Sequence, residues 1–401
     1  MPVSEKNITF KGIGQPIVST RIAQKMEEGV ASGVFPGGVL LVHHRGKIAF
    51  HEAFGSASLF PNRVPMTRET LFDLASLTKP LATAAAILLL IQNRSLALTD
   101  PLSQFFPEFS FGEKRTVTLF HLLNHSSGLP DWKPYYQEIV ERDRKEPGFL
   151  GSPSAKQLLY RRVREESLIA PPGTKSLYSD LGFILLQQVV EQVAEEPLDR
   201  FCDRHLFSAF GCKETFFLPL GRPPSAAEGR FFAATEECPW RKKVLQGSVH
   251  DDNADAMGGV AGHAGLFSTA SEVYRLVRLW TDSIGGVISG DHAQAGKGPF
   301  DRAWAAQFTR RQTGIGVPAG SSWGLGWDTP SPPHSSSGHF FSPSSFGHLG
   351  FTGTSIWVDL ERDLIVILLT NRVHPTRENQ RIRAFRPELH DLIFREVIYE
   401  R

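Results

Sequence analysis

The stretch FDLASLTKPLATAAAILLLI, residues 72–91, sets a hydroxyl at Ser76 and an amine at Lys79 immediately ahead of an apolar run. Three positions apart on a helix, the two side chains share one face and can touch. Burying an ammonium is costly unless a partner or a reaction uses it. The pair therefore reads in two ways: a serine cap with a solvated lysine, or a nucleophile with its activating amine. A serine in the first helical turn lies beside unpaired backbone N–H groups and the positive dipole end, which favour developing negative charge. A lysine one turn on can take its proton. Pro80 is tolerated so near the start and leaves an early carbonyl without its usual partner.

Outward from this stretch, residues 20–33 read as a helix and GGVLLVHHRGKIAFHEAFG (37–55) as two strands around an Arg45-Gly46 turn. The far end mirrors this: TSIWVDLERDLIVILLTN gives strands at 354–359 and 364–370 around a turn at 361–363, and a helix over about 376–398 closes the chain. Strands at both ends with helical material between them predict one antiparallel sheet assembled from the two termini. In the middle, Thr99-Asp100-Pro101 reads as a helix start. Asp180 reads as the N-cap of LGFILLQQVVEQVAEE, and Thr269 to Glu272 fits a capping box. Residues 283–299 and 328–345 read as long loops. With no internal repeat and no separable linker, the expectation is one α+β catalytic unit over 13–398. Its α/β lobe covers about 13–75 and 258–398, and its mostly helical lobe about 76–257.

Composition narrows the function classes. The 401 residues are 41% hydrophobic and 21% charged with a formal net charge of +1, which gives no electrostatic reason to expect nucleic acid or an anionic membrane surface. Cys202, Cys212 and Cys238 are odd in number and lack a CxxC spacing, so neither a disulfide framework nor a zinc site is suggested. The 14 histidines show no HExxH or related spacing, so no metal and no cofactor is expected. MPVSEKNITFKGIGQP has no apolar core of the secretory kind, and the run from Leu81 to Ile91 is about half the length a bilayer span needs. A cytoplasmic protein without a membrane partner is the expectation.

Two further segments align with the opening one. PPGTKSLYSDLGFILL places Tyr178-Ser179-Asp180 at the mouth of a helix, and FGHLGFTGTSIWVDL places His348-Leu349-Gly350 before a strand. S-x-x-K, then a Y-x-N-like triplet, then H-x-G in this order resembles the serine β-lactamase and penicillin-binding-protein superfamily. LLNHSSGLPDW (122–132), GGVAGHAGLFSTA (258–270), WGLGW (323–327) and LLTNRVHP (368–375) resemble its class C and esterase-like branch. The resemblance runs from about residue 20 to 395. It implies the β-lactamase/D,D-peptidase fold, an antiparallel sheet flanked by terminal helices plus a mostly helical lobe. It also implies that Ser76 is acylated, that Lys79 assists its deprotonation and that Tyr178 shuttles protons. The backbone N–H groups of Ser76 and Phe351 would form an oxyanion hole, and His348, Leu349 and Gly350 would line the sheet side. The implied activity is serine hydrolysis of a small ester, amide or short peptide, as a carboxylesterase or D-amino-acid peptidase with weak or no β-lactamase activity. An acyltransferase using the same site and a non-catalytic sensor module are the alternatives.

Two departures from the pattern bear on mechanism. Asp180 replaces asparagine, and a carboxylate beside Lys79 favours the ammonium over a free amine base and disfavours a tyrosinate at Tyr178. His348 replaces lysine, so the fixed cation that would attract a β-lactam carboxylate is exchanged for a group mostly neutral at pH 7. Arg377 is the candidate replacement for that contact. Gly320 to Gly324 satisfies G-x-S-x-G, but neither a strand precedes nor a helix follows it, so it is not a nucleophile elbow. HDDNADAMGG (250–259) places Asp251, Asn253 and Asp255 like the first calcium ligands of an EF-hand, yet Ala256 replaces the required glycine and Gly262 the closing glutamate. Structural bracing or lining of the site remain its two readings.

Overall fold

Short apolar strands from the two ends of the chain, buried on both faces, build the centre of the sheet. The computed structural model describes residues 18–220, 231–285, 298–331 and 333–399. Helix α1 (Val18–Ala31) leads into β1 (Gly37–His44), β2 (Lys47–Ser58) and the short β3 (Val64–Pro65); the middle of the chain carries α2 (Ala85–Gln92) and α3 (Asp180–Ala194). The chain returns through β4 (Phe346–Leu349), β5 (Ser355–Asp359) and β6 (Leu364–Thr370) and closes with α4 (Ile382–Phe394). The six strands pair antiparallel in the order β3-β2-β1-β6-β5-β4, so the first and last parts of the chain meet at the centre.

Every position of β1 and β6 is buried, and successive side chains alternate between two cores. Leu40, Val42, Val366 and Leu368 face Ile22 and Met26 of α1 and Phe385, Leu389 and Ile393 of α4. Val39, Leu41, Ile365, Ile367 and Leu369 face the larger core shared with α2, α3 and the helix Ala270–Ile284. Each such side chain contributes about 1.5–3 kcal/mol on burial. The run Ala75–Gln92, long and apolar enough by composition to cross a membrane, is 83% buried inside this second core.

Some local expectations change. Pro101 is extended, and beyond it only a single 3-10 turn forms at Leu102–Gln104 because the Leu102 N–H goes across to the Val117 carbonyl at 2.9 Å. Thr269 does cap Ala270–Ile284, accepting the Glu272 N–H at 3.3 Å. The Glu272 carboxylate turns away, however, to accept from the Glu214 N–H and the Thr215 hydroxyl, so the box is half-formed. The closing helix begins at Ile382 rather than 376, since the preceding segment is spent on side-chain-to-backbone bonds such as those of Arg372 and Asn379. The loop expected over 283–299 falls mostly outside the described residues, while the described part of 328–345 is irregular apart from Asp328's bridges to Trp323 and Gly347.

Candidate active site

The chain reaches Ser76 through a tight, heavily braced turn. Ala75 has φ +47°, a left-handed conformation unusual for a residue with a Cβ. The buried Asp73 carboxylate holds it there, accepting the Ala75 N–H at 2.8 Å and the His250 N–H at 2.7 Å. Burial pushes the Asp73 carboxyl up, against the two N–H groups that stabilise its anion. From the sheet side, Thr352 donates to the Asp73 carbonyl (2.8 Å) and Thr354 to the Leu74 carbonyl (3.1 Å). The turn after β4 is thereby tied directly to the segment that carries Ser76. Both Ser76 and Phe351 line the resulting cavity.

Beyond Ser76 the helix opens as a 3-10 turn (Ala75–Leu77) and a π-helical turn (Lys79–Ala84) before α2. Pro80 supplies no N–H to a regular ladder there. Lys79 is completely buried, and its three ammonium protons are all used: Ser76 Oγ at 2.9 Å, Asp180 Oδ1 at 2.6 Å and the His263 carbonyl at 3.0 Å. Burial opposes the charge, but the Asp180 carboxylate and Tyr178 outweigh it and hold Lys79 above the usual lysine range. The ring of Tyr178 lies 4.7 Å from Nζ. Its phenol is pushed up, first by burial and then by Asp180, against the pull of Lys79. At rest the trio is therefore ammonium, carboxylate and phenol.

Asp180 is free for this role because it is not the helix cap. Ser179 caps α3, accepting the Gly182 N–H at 3.3 Å while its hydroxyl donates to the Pro130 carbonyl. Asp180 then occupies the first helical position, one residue later than a cap would sit. Tyr178 is packed by rings the sequence scatters widely: His125 (4.6 Å between centroids), Trp323 (5.4 Å) and His348 (6.0 Å). Trp323 comes from the rejected G-x-S-x-G stretch, where Ser322 is engaged with Asp328 at 2.6 Å. His348 is buried with Nδ1 2.8 Å from the Leu349 carbonyl, and burial, together with Lys79, lowers it to about 3. It is neutral across the physiological range and contributes no fixed charge.

Arg377 lines the cavity, yet its guanidinium is already matched. Nε reaches Glu236 at 2.7 and 2.8 Å and Nη1 reaches Asp252 at 3.2 Å, which holds Arg377 above its usual range. The segment 250–259 both braces and lines. Asp251 caps the short helix Asp252–Ala256 and meets His263 Nε2 at 2.9 Å; Asn253 bonds the Tyr136 N–H and the Lys133 carbonyl. Asp180, Asp251 and His263 bring ligand atoms within 4.8 Å of one another, but the Lys79 ammonium already occupies Asp180 and would repel a cation placed beside it. Sequence reasoning assigns no site role to His263, Trp323, Arg372 or Arg386, although His263 lies in GGVAGHAGLFSTA, Trp323 in WGLGW and Arg372 in LLTNRVHP. Asp251 lies in HDDNADAMGG, for which lining the site is one of two readings; only Arg386 lies in no segment the sequence singled out.

The cavity has a volume of about 650 Å3, and its lining includes Ser76, Tyr178, His348, Leu349, Gly350 and Phe351. A hydroxyl that accepts a hydrogen bond from an ammonium, with a protonated phenol and a carboxylate against that ammonium, is equipped for acyl transfer with proton movement.

Comparison with known proteins bears on the family and the fold. The family model described as Beta-lactamase matches residues 22–390. A protein of Salmonella agona (strain SL483), provisionally named a D-alanyl-D-alanine carboxypeptidase, is 29% identical over 372 residues, covering 87% of this chain and 81% of its own. The counterpart from Salmonella schwarzengrund (strain CVM19633) is 30% identical with the same coverage. Among solved structures, EstCE1, a hydrolase with promiscuous acyltransferase activity, superposes with a TM-score of 0.67 at 23% identity, covering 92% of this chain and 98% of its own. The octameric penicillin-binding protein homologue from Pyrococcus abyssi gives 0.67 at 19% identity, covering 94% and 78%. These two share the fold.

Proposed function

The chain belongs to the Beta-lactamase family and is a serine hydrolase; from that premise we propose that it works through an acyl-enzyme on Ser76, acting on a short D-amino-acid peptide or a simple carboxylic ester. The observation that carries this reading is the 2.9 Å contact between Ser76 Oγ and Lys79 Nζ at the wall of an open cavity, where segments around residues 76, 178 and 348 converge. The 29–30% identical Salmonella relatives supply the peptide side of the substrate class.

In the proposed cycle Ser76 Oγ attacks the acyl carbon while its proton passes to Lys79 Nζ. Lys79 begins as the ammonium, so it gives a proton onward to Asp180 Oδ1, 2.6 Å away. The oxyanion is received by the backbone N–H groups of Ser76 and Phe351. Tyr178 protonates the departing amine or alkoxide and is reprotonated from the Lys79–Asp180 pair, so the serine proton ends on the leaving group. Water then attacks the ester, its proton returning through the same groups to Ser76 Oγ. Neutral His348 offers no cation to a β-lactam carboxylate, which supports weak penicillin turnover.

The test is turnover of p-nitrophenyl acetate and of an acyl-D-alanyl-D-alanine by wild type and Ser76→Ala. The proposal expects activity in the first protein and none in the second, with unchanged circular dichroism. Retained turnover would move the nucleophile elsewhere. Adding an alcohol acceptor and measuring ester product separates hydrolysis from acyl transfer.

A further inference from the structure

His125 lies in the loop between the helices Leu119–Leu123 and Tyr135–Lys145, buried and with φ +57°. A left-handed conformation is uncommon for a residue with a Cβ and persists where its surroundings impose it. The surroundings here are the Tyr178 segment. The His125 carbonyl accepts the Leu177 N–H at 2.9 Å, and its Nδ1 accepts the Ser179 N–H at 3.0 Å. One residue thus holds both amides that flank Tyr178. The same loop binds the next positions as well: the Pro130 carbonyl accepts from the Ser179 hydroxyl at 2.6 Å, and the Asp131 carbonyl accepts the Asp180 N–H at 2.8 Å.

A ring nitrogen that accepts carries no proton, so the neutral imidazole of His125 has its hydrogen on Nε2. Burial, then Lys79 and His348, lowers His125 well below the usual histidine range and keeps it in that form. Nε2 is buried and has no partner among the described residues, an arrangement that costs stability. The left-handed backbone and the unmatched N–H are two departures from minimal energy at one residue, and both accompany the grip on Tyr178. The ring also backs the tyrosine, with centroids 4.6 Å apart, and is itself wedged against Trp323 at 4.4 Å and Phe183 of α3 at 5.3 Å. Backbone and ring of Tyr178 are therefore fixed by the same side chain, beside the Lys79 ammonium 4.7 Å from the tyrosine ring.

We propose that His125 is a positioning residue for Tyr178: its Nδ1 and carbonyl lock the two flanking amides, and its ring holds the phenol in one orientation toward Ser76 and Lys79. As a statement about rate the inference rests on the reading of Tyr178 as the proton donor of an acyl-enzyme cycle. As a statement about what orders the tyrosine it stands separately, and the test keeps the two apart.

The test compares His125→Gly with His125→Asn, because both residues tolerate the left-handed backbone and only asparagine keeps an acceptor near the place of Nδ1. His125→Gly should lower kcat on p-nitrophenyl acetate by about thirtyfold, with KM within about threefold of wild type. Hydrogen exchange over residues 177–179, followed by mass spectrometry, should quicken by about tenfold. His125→Asn should recover kcat to within about fivefold and restore the slow exchange. In a Tyr178→Phe background the glycine substitution should cost less than about threefold further, since its effect passes through the tyrosine hydroxyl. His125→Ala, which lacks the same ring and acceptor, carries the same expectations if His125→Gly does not fold. Wild-type kcat and exchange in a folded glycine variant, an asparagine variant as impaired as the glycine one, or an equal loss in both backgrounds overturns the proposal. Full turnover by Tyr178→Phe would strike the catalytic reading of the tyrosine alone. Exchange then decides on His125: quickened by glycine and restored by asparagine upholds the positioning role, and unchanged exchange overturns it.

Discussion

Asp180 Oδ1 stands 2.6 Å from Lys79 Nζ, closer than the Ser76 hydroxyl at 2.9 Å. The lysine is thus a shared ammonium between a carboxylate and a hydroxyl, and its free-base form is the minor one. Replacing Asp180 by asparagine removes the largest influence that raises Lys79 and leaves burial to lower it. Asp180→Asn should cut kcat/KM at pH 7 by about a hundredfold, the scale of a lost proton acceptor. It should also create a limb that rises with pH as Lys79 loses its proton, at a lower pH than lysine titration in wild type. A pH–rate profile of each protein on p-nitrophenyl acetate checks this; superimposable profiles would contradict the relay.

Gly350 controls how closely the sheet approaches the Ser76 turn. A Cβ there would lie 2.0 Å from Thr354 Oγ1 and 2.5 Å from the Leu74 carbonyl oxygen, the two atoms whose hydrogen bond joins these segments. Gly350→Ala should displace Phe351 relative to Ser76. A shift on the order of 1 Å costs about a hundredfold in rate, while the overpacking destabilises by about 1–3 kcal/mol. A kcat within twofold of wild type in a folded variant would show that the approach is not critical.

Buried neutral histidines should make the fold acid-sensitive. His348 and His390 are lowered to about 3 and His43 to about 4, in each case chiefly by burial. Their folded values lie below the unfolded 6.5, so the stability they permit is complete above pH 6.5 and is lost as pH falls toward the folded values. Urea unfolding between pH 7 and 4 should show this decline. His390→Asn, which removes one such group, should make it shallower by up to about 1.4 kcal/mol per pH unit. Parallel curves would contradict the assignment.

Much of this was legible before any coordinates. The apolar runs in GGVLLVHH and LIVILLT, with the Arg45-Gly46 and 361–363 turns beside them, mark β1 and β6 to the residue at several ends, because both faces of these strands are buried and little else competes. The order of Ser76, Lys79, Tyr178 and His348 is readable through resemblance, and the structure brings Ser76, Tyr178 and His348 to one cavity with Lys79 buried against Ser76. What failed was discrimination between near-equal local options: Ser179 and Asp180 are both good caps, and only the pull of Lys79, 101 residues away, decides that Ser179 takes the role. The state of the arginines was out of reach for a similar reason. Arg377 finds Glu236 across 141 residues whereas Arg372 and Arg386 pair with no acid among the described residues, and nothing in LLTNRVHPTRENQRIRAFR distinguishes them. His263 and Asp251 meet only because the loop before the strand Leu266–Ser268 folds back over the helix that Asp251 caps.

The central claim is that Ser76 carries the acyl group, and it is tested most directly by trapping that ester. Acid quenching during steady-state turnover of a slowly hydrolysed p-nitrophenyl ester, followed by peptide mass mapping, should find one acyl group on the peptide containing Ser76, and none in Ser76→Ala. An acyl group mapped to another residue, or turnover at full rate with no covalent adduct at any quench time, would contradict it.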